Sequence, residues 1–353
     1  MTASLAHTNR HAFTLVELLV VIAILGLLSV IVIPNLTGNI EARRYREAAR
    51  DSSAFIARCQ SRAIGSKTSK GVMLQPLTSN PDVCLDLFFS DTPDVYAGES
   101  TTSAATIAPP DNASAGTLAV TFDSATQNRL ATQPDFCKAG DTIQFGGTGA
   151  KFKFLPPAAV TMWFEDNQNT RNTSWPRATG AGLPFKIWRQ PSRGPAGVLQ
   201  LQKGAAIDLA WCCLGVRPFR DFMDASITDN SISILFDSSG KPMEIVHPGK
   251  RAQPSDPAPS GGVRTSVGSP IFLLIGEADL CGNSYDPAVS RDTNAPSPAD
   301  RGGANWQYGD CIWMCIDNNS GVVKMANVTP GTTSVLLSQR SVRLSIGYGI
   351  GGQ

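Results

Sequence analysis

One carboxylate, Glu17, lies inside a long apolar run that begins at Phe13 and ends at Ile33. About 20 apolar residues at a rise of 1.5 Å cross a bilayer core of ~30 Å, so the run is long enough to span a membrane as a helix. An unpartnered carboxylate in lipid costs on the order of 3 kcal/mol, so Glu17 needs a cation. The run predicts a membrane helix with one ion-pairing carboxylate near its start; a carboxylate that reaches the nearby interface is the alternative.

Cysteines form a second group of reactive side chains. Eight are present, at positions 59, 84, 137, 212, 213, 281, 311 and 315. The segment CIWMCI (311–316) alternates like a strand, which places Cys311 and Cys315 on one face and ~13 Å apart, too far for a disulfide. No second CxxC and no histidine pair accompanies them, so we expect buried thiols or disulfides to other segments rather than a metal site.

Motifs for catalysis are missing from the sequence. After residue 12 the chain has one histidine, His247, before Pro248, and we expect it at the surface. There is no G-x-S-x-G, H-E-x-x-H or P-loop, and the glycine-rich segments at 146–151 and 347–352 lack the spacing or the following helix of a nucleotide site. We therefore expect no enzyme activity and no cofactor.

Three aspartate-rich segments raise the question of calcium: DTPDVYAGES (91–100), SYDPAVSRD (284–292) and DNNSG (317–321). None has the D-x-[DN]-x-[DN]-G spacing of a calcium loop. Aspartate also stabilises ordinary turns by accepting backbone N–H groups. We expect structural turns and no metal.

Composition limits the partners. The 353 residues are 42% hydrophobic and 17% charged, with a net charge of +1. Residues 1–12 contain Arg10 and no acid, so the rest of the chain has 29 basic and 29 acidic residues. Such a balance gives no global field for nucleic acid. The 32 glycines and 24 prolines suit a β-rich, loop-rich exported domain.

A helical pattern resumes after the apolar run and extends through 34–64. One face of this segment repeats at spacings of three and four: Tyr45, Ala48, Ser52, Phe55, Cys59 and Ala63. Pro34 and Gly38 weaken the helix between the two halves, so we expect a kink or a melted segment there. Gly65 predicts the end of the helix.

From residue 65 onward the period changes to two. The predicted strands are 71–77, 83–89, 117–123, 142–146, 151–155, 160–164, 185–189, 197–202, 206–211, 231–237, 243–247, 271–275, 311–316 and 321–326. Three stretches rich in Pro, Gly, Ser, Thr and Ala are predicted loops: 91–116, 248–270 and 282–305. The fold class is α+β, with a long N-terminal transmembrane helix packed on an antiparallel β-sheet or β-sandwich that forms one domain over 65–353.

The segment AFTLVELLVVIAILGLLSVIVIPN resembles the signal of type IV prepilins and type II secretion pseudopilins. The resemblance implies a leader at 1–12, cleavage between Ala12 and Phe13 by the prepilin peptidase, and methylation of the new amine of Phe13. It also implies assembly through Phe13, Glu17 and Pro34, with the Glu17 carboxylate meeting the amine of a neighbouring subunit. Family members usually have glycine before the cut, whereas this chain has Ala12, which is also small enough to fit.

Three further segments resemble H-type minor pseudopilins and FimT-like minor pilins: EAARDSSAFIARCQSRAIGSKTSKGVMLQP, SISILFDSSGKPMEIV and CIWMCIDNNSGVVKM. The region 90–230 resembles nothing in that family. The implied function is that of a structural minor pseudopilin in a type II secretion pseudopilus. The implied partners are other pseudopilins, the inner-membrane assembly platform and the lipid bilayer.

The implied location is the inner membrane, crossed once, with a cytoplasmic N-terminus and a periplasmic C-terminal domain. Two alternatives stay open: a type IV minor pilin active in adhesion or DNA uptake, and a membrane-anchored extracytoplasmic binding module. FimT-like pilins are implicated in DNA capture through basic residues near the C-terminus, where this chain has Arg340 and Arg343. Two arginines form a weak DNA site, so we favour a charged edge strand and do not expect nucleic acid as a partner.

Overall fold

The structure is a computed structural model, and it describes most of the chain after the first fourteen residues. The described ranges are 15–66, 68–107, 117–147, 151–155, 159–161, 182–224, 230–250, 261–286 and 302–328. Within the first helix, side chains are described for 15–27 and 41–64. The described residues form one long α-helix, one short α-helix, two antiparallel sheets and three 3-10 helices, at Phe219–Phe222, Ala278–Leu280 and Asn305–Gln307.

Helix α1 (Leu15–Ile64) is continuous. At 1.5 Å per residue its 50 residues span about 75 Å. The backbone is helical through Pro34 and Gly38, so the expectation of a melted segment is wrong. A proline removes one helical hydrogen bond, and the turns on both sides retain theirs. The helix ends where the sequence predicts, and Gly65 N–H donates to the Ser61 carbonyl at 3.3 Å.

The larger sheet has twelve strands. They are β1 Lys70–Pro76, β2 Val83–Asp91, β9 Ser192–Gln200, β10 Ala205–Asp208, β11 Cys213–Leu214, β12 Arg217–Pro218, β13 Ile232–Phe236, β14 Pro242–His247, β15 Val263–Ser266, β16 Ile271–Glu277, β17 Ile312–Ile316 and β18 Val323–Asn327. The order is β12-β11-β16-β10-β2-β1-β13-β14-β15, while β17 lies between β16 and β18, and β9 pairs with β2.

The smaller sheet is built from the middle of the chain, within the region 90–230 that does not resemble the H-type minor pseudopilins. Its six strands are β3 Ala105–Ile107, β4 Thr117–Phe122, β5 Thr142–Phe145, β6 Lys151–Leu155, β7 Ala159–Thr161 and β8 Phe185–Trp188. A short helix, α2 Ser124–Thr132, follows β4. The sheet has its own aromatic core, in which Phe122, Phe154 and Phe185 pack edge to face.

The main core lies between α1 and the larger sheet. All six residues of the predicted helical stripe are buried there, and Ala48, Ser52 and Cys59 have no exposed surface. They pack against alternate side chains of β1, such as Val72 and Leu74, and against β10, β16 and β17. The predicted amphipathic face is therefore the face that holds the helix on the sheet.

Candidate functional site

The N-terminal part of α1 is an uncovered apolar surface with one charge. Glu17 lies in the first turn of the helix. Every side chain described from residue 15 to 27 is exposed, and Leu15 and Leu27 retain 79% and 69% of their accessible surface. Covering such a surface with another apolar surface is favourable by about 25 cal/mol per Å². Within the part of the chain that is described, no helix is both long and apolar enough to count as a membrane span.

The structure describes only some of the other expected site residues. Ala12 and Phe13, the expected cleavage and methylation positions, lie outside the described residues. Arg340 and Arg343 also lie outside them. Pro34 occupies a helical backbone position within α1.

The C-terminal part of α1 is fixed on the sheet by aromatic and charged contacts. The Phe55 and Phe89 rings lie 4.5 Å apart between centroids, and the Arg62 guanidinium lies 4.3 Å above the Phe89 ring. Asp91 at the end of β2 forms ion pairs with Arg62 at 3.2 Å and with Lys70 at 3.3 Å. These contacts join the last turns of the helix to the first hairpin of the sheet.

Gln60 joins the helix to both late hairpins. Its Nε2 donates to the carbonyl of Gly240 at 3.1 Å and to the carbonyl of Gly321 at 2.6 Å. Both glycines adopt a positive φ in the turns after β13 and β17, a conformation that other residues rarely adopt. A Cβ on Gly321 would lie 2.4 Å from the Gly240 carbonyl oxygen, so the two turns are also in contact with each other.

The aspartate-rich turns act as hydrogen-bonded turns. Asp317 accepts hydrogen bonds from the backbone N–H and the hydroxyl of Ser320, and these bonds lower the pKa of its carboxyl group. Asp237 accepts the same pair of bonds from Ser239. Among the described residues, no group of three or more His, Cys, Asp or Glu side chains is placed to hold a metal ion.

His247 is buried, so the prediction of a surface histidine is wrong. Only 3% of its surface is exposed, and its ring stacks on Phe222 with a centroid separation of 4.3 Å. Nε2 lies 3.0 Å from the Thr265 hydroxyl, and Nδ1 accepts the Gly249 N–H at 3.2 Å. Burial lowers the pKa of His247 to about 4. Both ring nitrogens thus form contacts that fix the end of β14. The alternation of apolar residues along the strand does not indicate these contacts.

All eight cysteines are buried free thiols, one of the two states that the sequence predicts for them. Burial raises the pKa of Cys59 and of Cys84 to about 12, so both are protonated at neutral pH. A protonated thiol is a poor nucleophile and a poor metal ligand. The thiols therefore act as small apolar groups in the core.

A buried polar network escaped sequence reasoning. Asp208 on β10 is fully buried, and its carboxylate accepts the Asn305 amide at 2.9 Å and the Gly282 N–H at 3.2 Å. The Asn305 side-chain amide also accepts the backbone N–H of Glu277 at 2.8 Å and donates to the backbone carbonyl of Glu277 at 3.1 Å. These are the two hydrogen bonds that the backbone of a neighbouring strand would make. Asn305 lies in a stretch predicted as loop, where no periodicity marks a buried residue.

Comparison with known proteins identifies a motif at the start of the chain. The model of the prokaryotic N-terminal methylation motif matches residues 7–33. No curated protein and no solved structure matches the chain. The chain thus carries a type IV pilin-like prepilin signal, which places Glu17 and the start of α1 inside a recognised motif.

This motif suggests a pilin or pseudopilin and points to a structural protein rather than an enzyme. It implies processing by prepilin peptidase, N-terminal methylation, anchoring at the membrane through the N-terminus, and assembly with other pilins. The structure adds a helix with an uncovered N-terminal part and a C-terminal part that is fixed on a large antiparallel sheet.

Proposed function

We propose that this chain is a structural minor pseudopilin of a type II secretion system, cut before Phe13 and assembled through α1 into a periplasmic pseudopilus. The observation that supports this most is the coincidence of the methylation motif at 7–33 with the uncovered apolar part of a 50-residue helix. In a filament, the same surface would be covered by the helices of neighbouring subunits.

Before assembly, residues 13–33 would hold the subunit in the inner membrane, with the sheets on the periplasmic side. Arg10 precedes the apolar run and no basic cluster follows it closely, which favours a cytoplasmic N-terminus. An exported domain is consistent with the balanced charge of the chain after residue 12, which has 29 acidic and 29 basic residues, and with its glycine- and proline-rich loops.

Glu17 would set the register of each added subunit. Cleavage before Phe13 creates a positive amine, and Glu17 lies four residues further along the chain. In a low dielectric, a carboxylate and an amine are stable together, whereas either charge alone is strongly penalised. An incoming subunit would therefore be accepted only where its neighbour supplies the missing partner.

Processing can be tested on the native protein extracted from membranes. Intact mass and N-terminal sequencing should give a chain that begins with N-methyl-Phe13. A chain that begins with Met1 in cells with an active peptidase would refute the filament role. The variant Ala12→Gly should be processed at least as completely as the natural chain.

Assembly can be tested with two neutral variants of carboxylates on the same helix. Glu17→Gln should be inserted and processed but lost from crosslinks with other pseudopilins. Asp51→Asn, which changes an exposed carboxylate on the docked part of α1, should crosslink normally. Normal crosslinking of Glu17→Gln would contradict the proposed role of the charge.

The type IV minor pilin is the second candidate, because the methylation motif is shared by both systems. Loss of the chain should abolish secretion of folded proteins if it belongs to a type II system. Loss of adhesion or DNA uptake with intact secretion would assign it to a pilus. A membrane-anchored binding module should show neither processing nor pilin partners.

A further inference from the structure

A cleft lies between the two sheets, on the face of the larger sheet that points away from α1. Its volume is about 350 Å³, within the range of sites that bind small molecules. The floor is formed by Met73, Ser233 and Val246, which are direct cross-strand neighbours on β1, β13 and β14. On β1 the alternate residues Val72 and Leu74 face the helix, so Met73 and Gln75 face the cleft.

The roof comes from two loops of the smaller sheet, one containing Lys138 and the other containing Gln190. Buried Asp141 joins these loops, because its carboxylate accepts the Lys138 N–H at 2.9 Å and the Gln190 N–H at 2.8 Å. The Gln190 side chain donates to the Ala139 carbonyl at 2.8 Å. These bonds fix the two loops relative to each other, so the cleft has a built roof over a sheet floor.

The described residues that line the cleft carry charge of one sign. Lys138 and Arg193 are among them, and none of them is an aspartate or a glutamate. Within the described part of the chain, neither cation lies within 4.0 Å of a carboxylate oxygen, and the Arg193 guanidinium lies 3.5 Å from the centre of the Phe88 ring. The buried carboxylate of Asp141, behind the roof, accepts hydrogen bonds from Lys138 and Gln190 instead.

The remaining polar groups of the cleft are uncharged. Gln75, Ser192, Ser231 and Ser233 are the uncharged polar residues of the wall and floor, and the Ser233 hydroxyl also accepts the Ser90 hydroxyl at 3.0 Å. His247 also borders the cleft, but both its nitrogens are engaged and its low pKa keeps the ring neutral near pH 7. The wall therefore offers two cations for an oxyanion and several neutral groups for hydroxyls.

We propose that this cleft binds a small hydroxylated molecule that carries an oxyanion, a sugar acid or a sugar phosphate, with the oxyanion held by Lys138 and Arg193. The hydroxyls of the ligand face the serines and Gln75 of the sheet. This site is separate from the proposed assembly role of α1, because it lies on the opposite face of the larger sheet.

The test is calorimetric titration of the full chain in detergent with glucuronate, glucose 6-phosphate, glucose and inorganic phosphate. We expect binding of at least one of the two charged sugars, no binding of glucose, and weakening as salt is added. Binding of only glucuronate or only the sugar phosphate identifies the oxyanion. Equal binding of glucose, binding of inorganic phosphate alone, or no binding of any probe would overturn the proposal.

Variants connect binding to the cleft. Lys138→Gln and Arg193→Gln should each weaken binding of the charged sugar about tenfold, since each removes a hydrogen bond to a charged group. Lys138 is exposed and keeps its backbone bond to Asp141, so the first variant should fold normally. Arg58→Gln removes an exposed cation on α1 and should bind as the natural chain does. Unchanged affinity in both cleft variants would exclude this site.

Discussion

Asp208 should make the stability of the fold depend on pH between 3.8 and about 7. Burial raises the pKa of its carboxyl group from 3.8 to about 7, against the opposing effect of the bonds from Asn305 and Gly282. Below about pH 7 the folded chain holds a proton on Asp208, whereas the unfolded chain releases it near pH 3.8. The contribution to stability is thus fully present below pH 3.8 and is lost as the pH rises to about 7.

The variant Asp208→Asn removes this titration. One pKa unit corresponds to about 1.4 kcal/mol, so a shift of about three units changes the free energy of unfolding by on the order of 4 kcal/mol. In the variant, the NH₂ group of the new asparagine must face either the Asn305 amide or the Gly282 N–H. Both of these groups are donors, so one hydrogen bond is lost and the variant is destabilised at every pH. We expect the variant to be less stable than the natural chain at pH 4.5, and the difference to shrink toward pH 7.

Denaturant unfolding of both chains in detergent at half-unit steps from pH 4.5 to 8 measures this difference. Taking the difference cancels the titration of groups that both chains share. Asp51→Asn serves as the control for loss of one carboxylate, because Asp51 is exposed on α1. A difference between the natural chain and Asp208→Asn that is constant across the whole range would refute the reasoning.

Three further predictions concern the attachment of α1, each measured by denaturant unfolding. Gln60→Leu should destabilise the fold by about 1–3 kcal/mol, because two turn carbonyls lose their donor, and hydrogen exchange should rise in the last turns of the helix. Gly321→Ala should destabilise the fold more than Gly240→Ala. Both variants strain a positive φ by about 1–2 kcal/mol, but only Gly321→Ala places a Cβ 2.4 Å from a backbone oxygen. Equal losses of stability would contradict this contact. Phe55→Ala should cost about 3–5 kcal/mol by removing a buried ring from Phe89, and a loss below 1 kcal/mol would show that the helix is held elsewhere.

Periodic elements could be predicted from the sequence because burial imposes their period. The stripe from Tyr45 to Ala63 and the end of the helix at Ile64 are confirmed. Each of the fourteen predicted strands overlaps an observed strand. The strands that were missed are β3, β11, β12 and β15, which have two to four residues and so carry too short an alternation to recognise.

Contacts between distant segments could not be predicted in the same way. Gln60 and the turns at Gly240 and Gly321 are separated by 180 and 261 residues, and no local pattern indicates that they meet. The Asn305 side chain makes the two backbone hydrogen bonds that a neighbouring strand would make with the end of β16. A single residue in this role gives no periodic pattern in the sequence. The position of His247 at the end of a strand and before a proline predicts a surface residue, whereas in the structure the Phe222 ring covers it.

The position of the cleft relative to α1 determines what assembly would leave accessible. The helix packs on one face of the larger sheet through Val72 and Leu74, while Met73 and Gln75 of the same strand face the cleft. In a filament, the helices of neighbouring subunits would cover the N-terminal part of α1, and the second face of the sheet would stay free of α1. Because Gln60 and Phe55 fix the helix on the sheet, the direction of the cleft would be set by the direction of the helix. Ligand binding and assembly should therefore be independent, and Glu17→Gln should bind the charged sugar with the affinity of the natural chain.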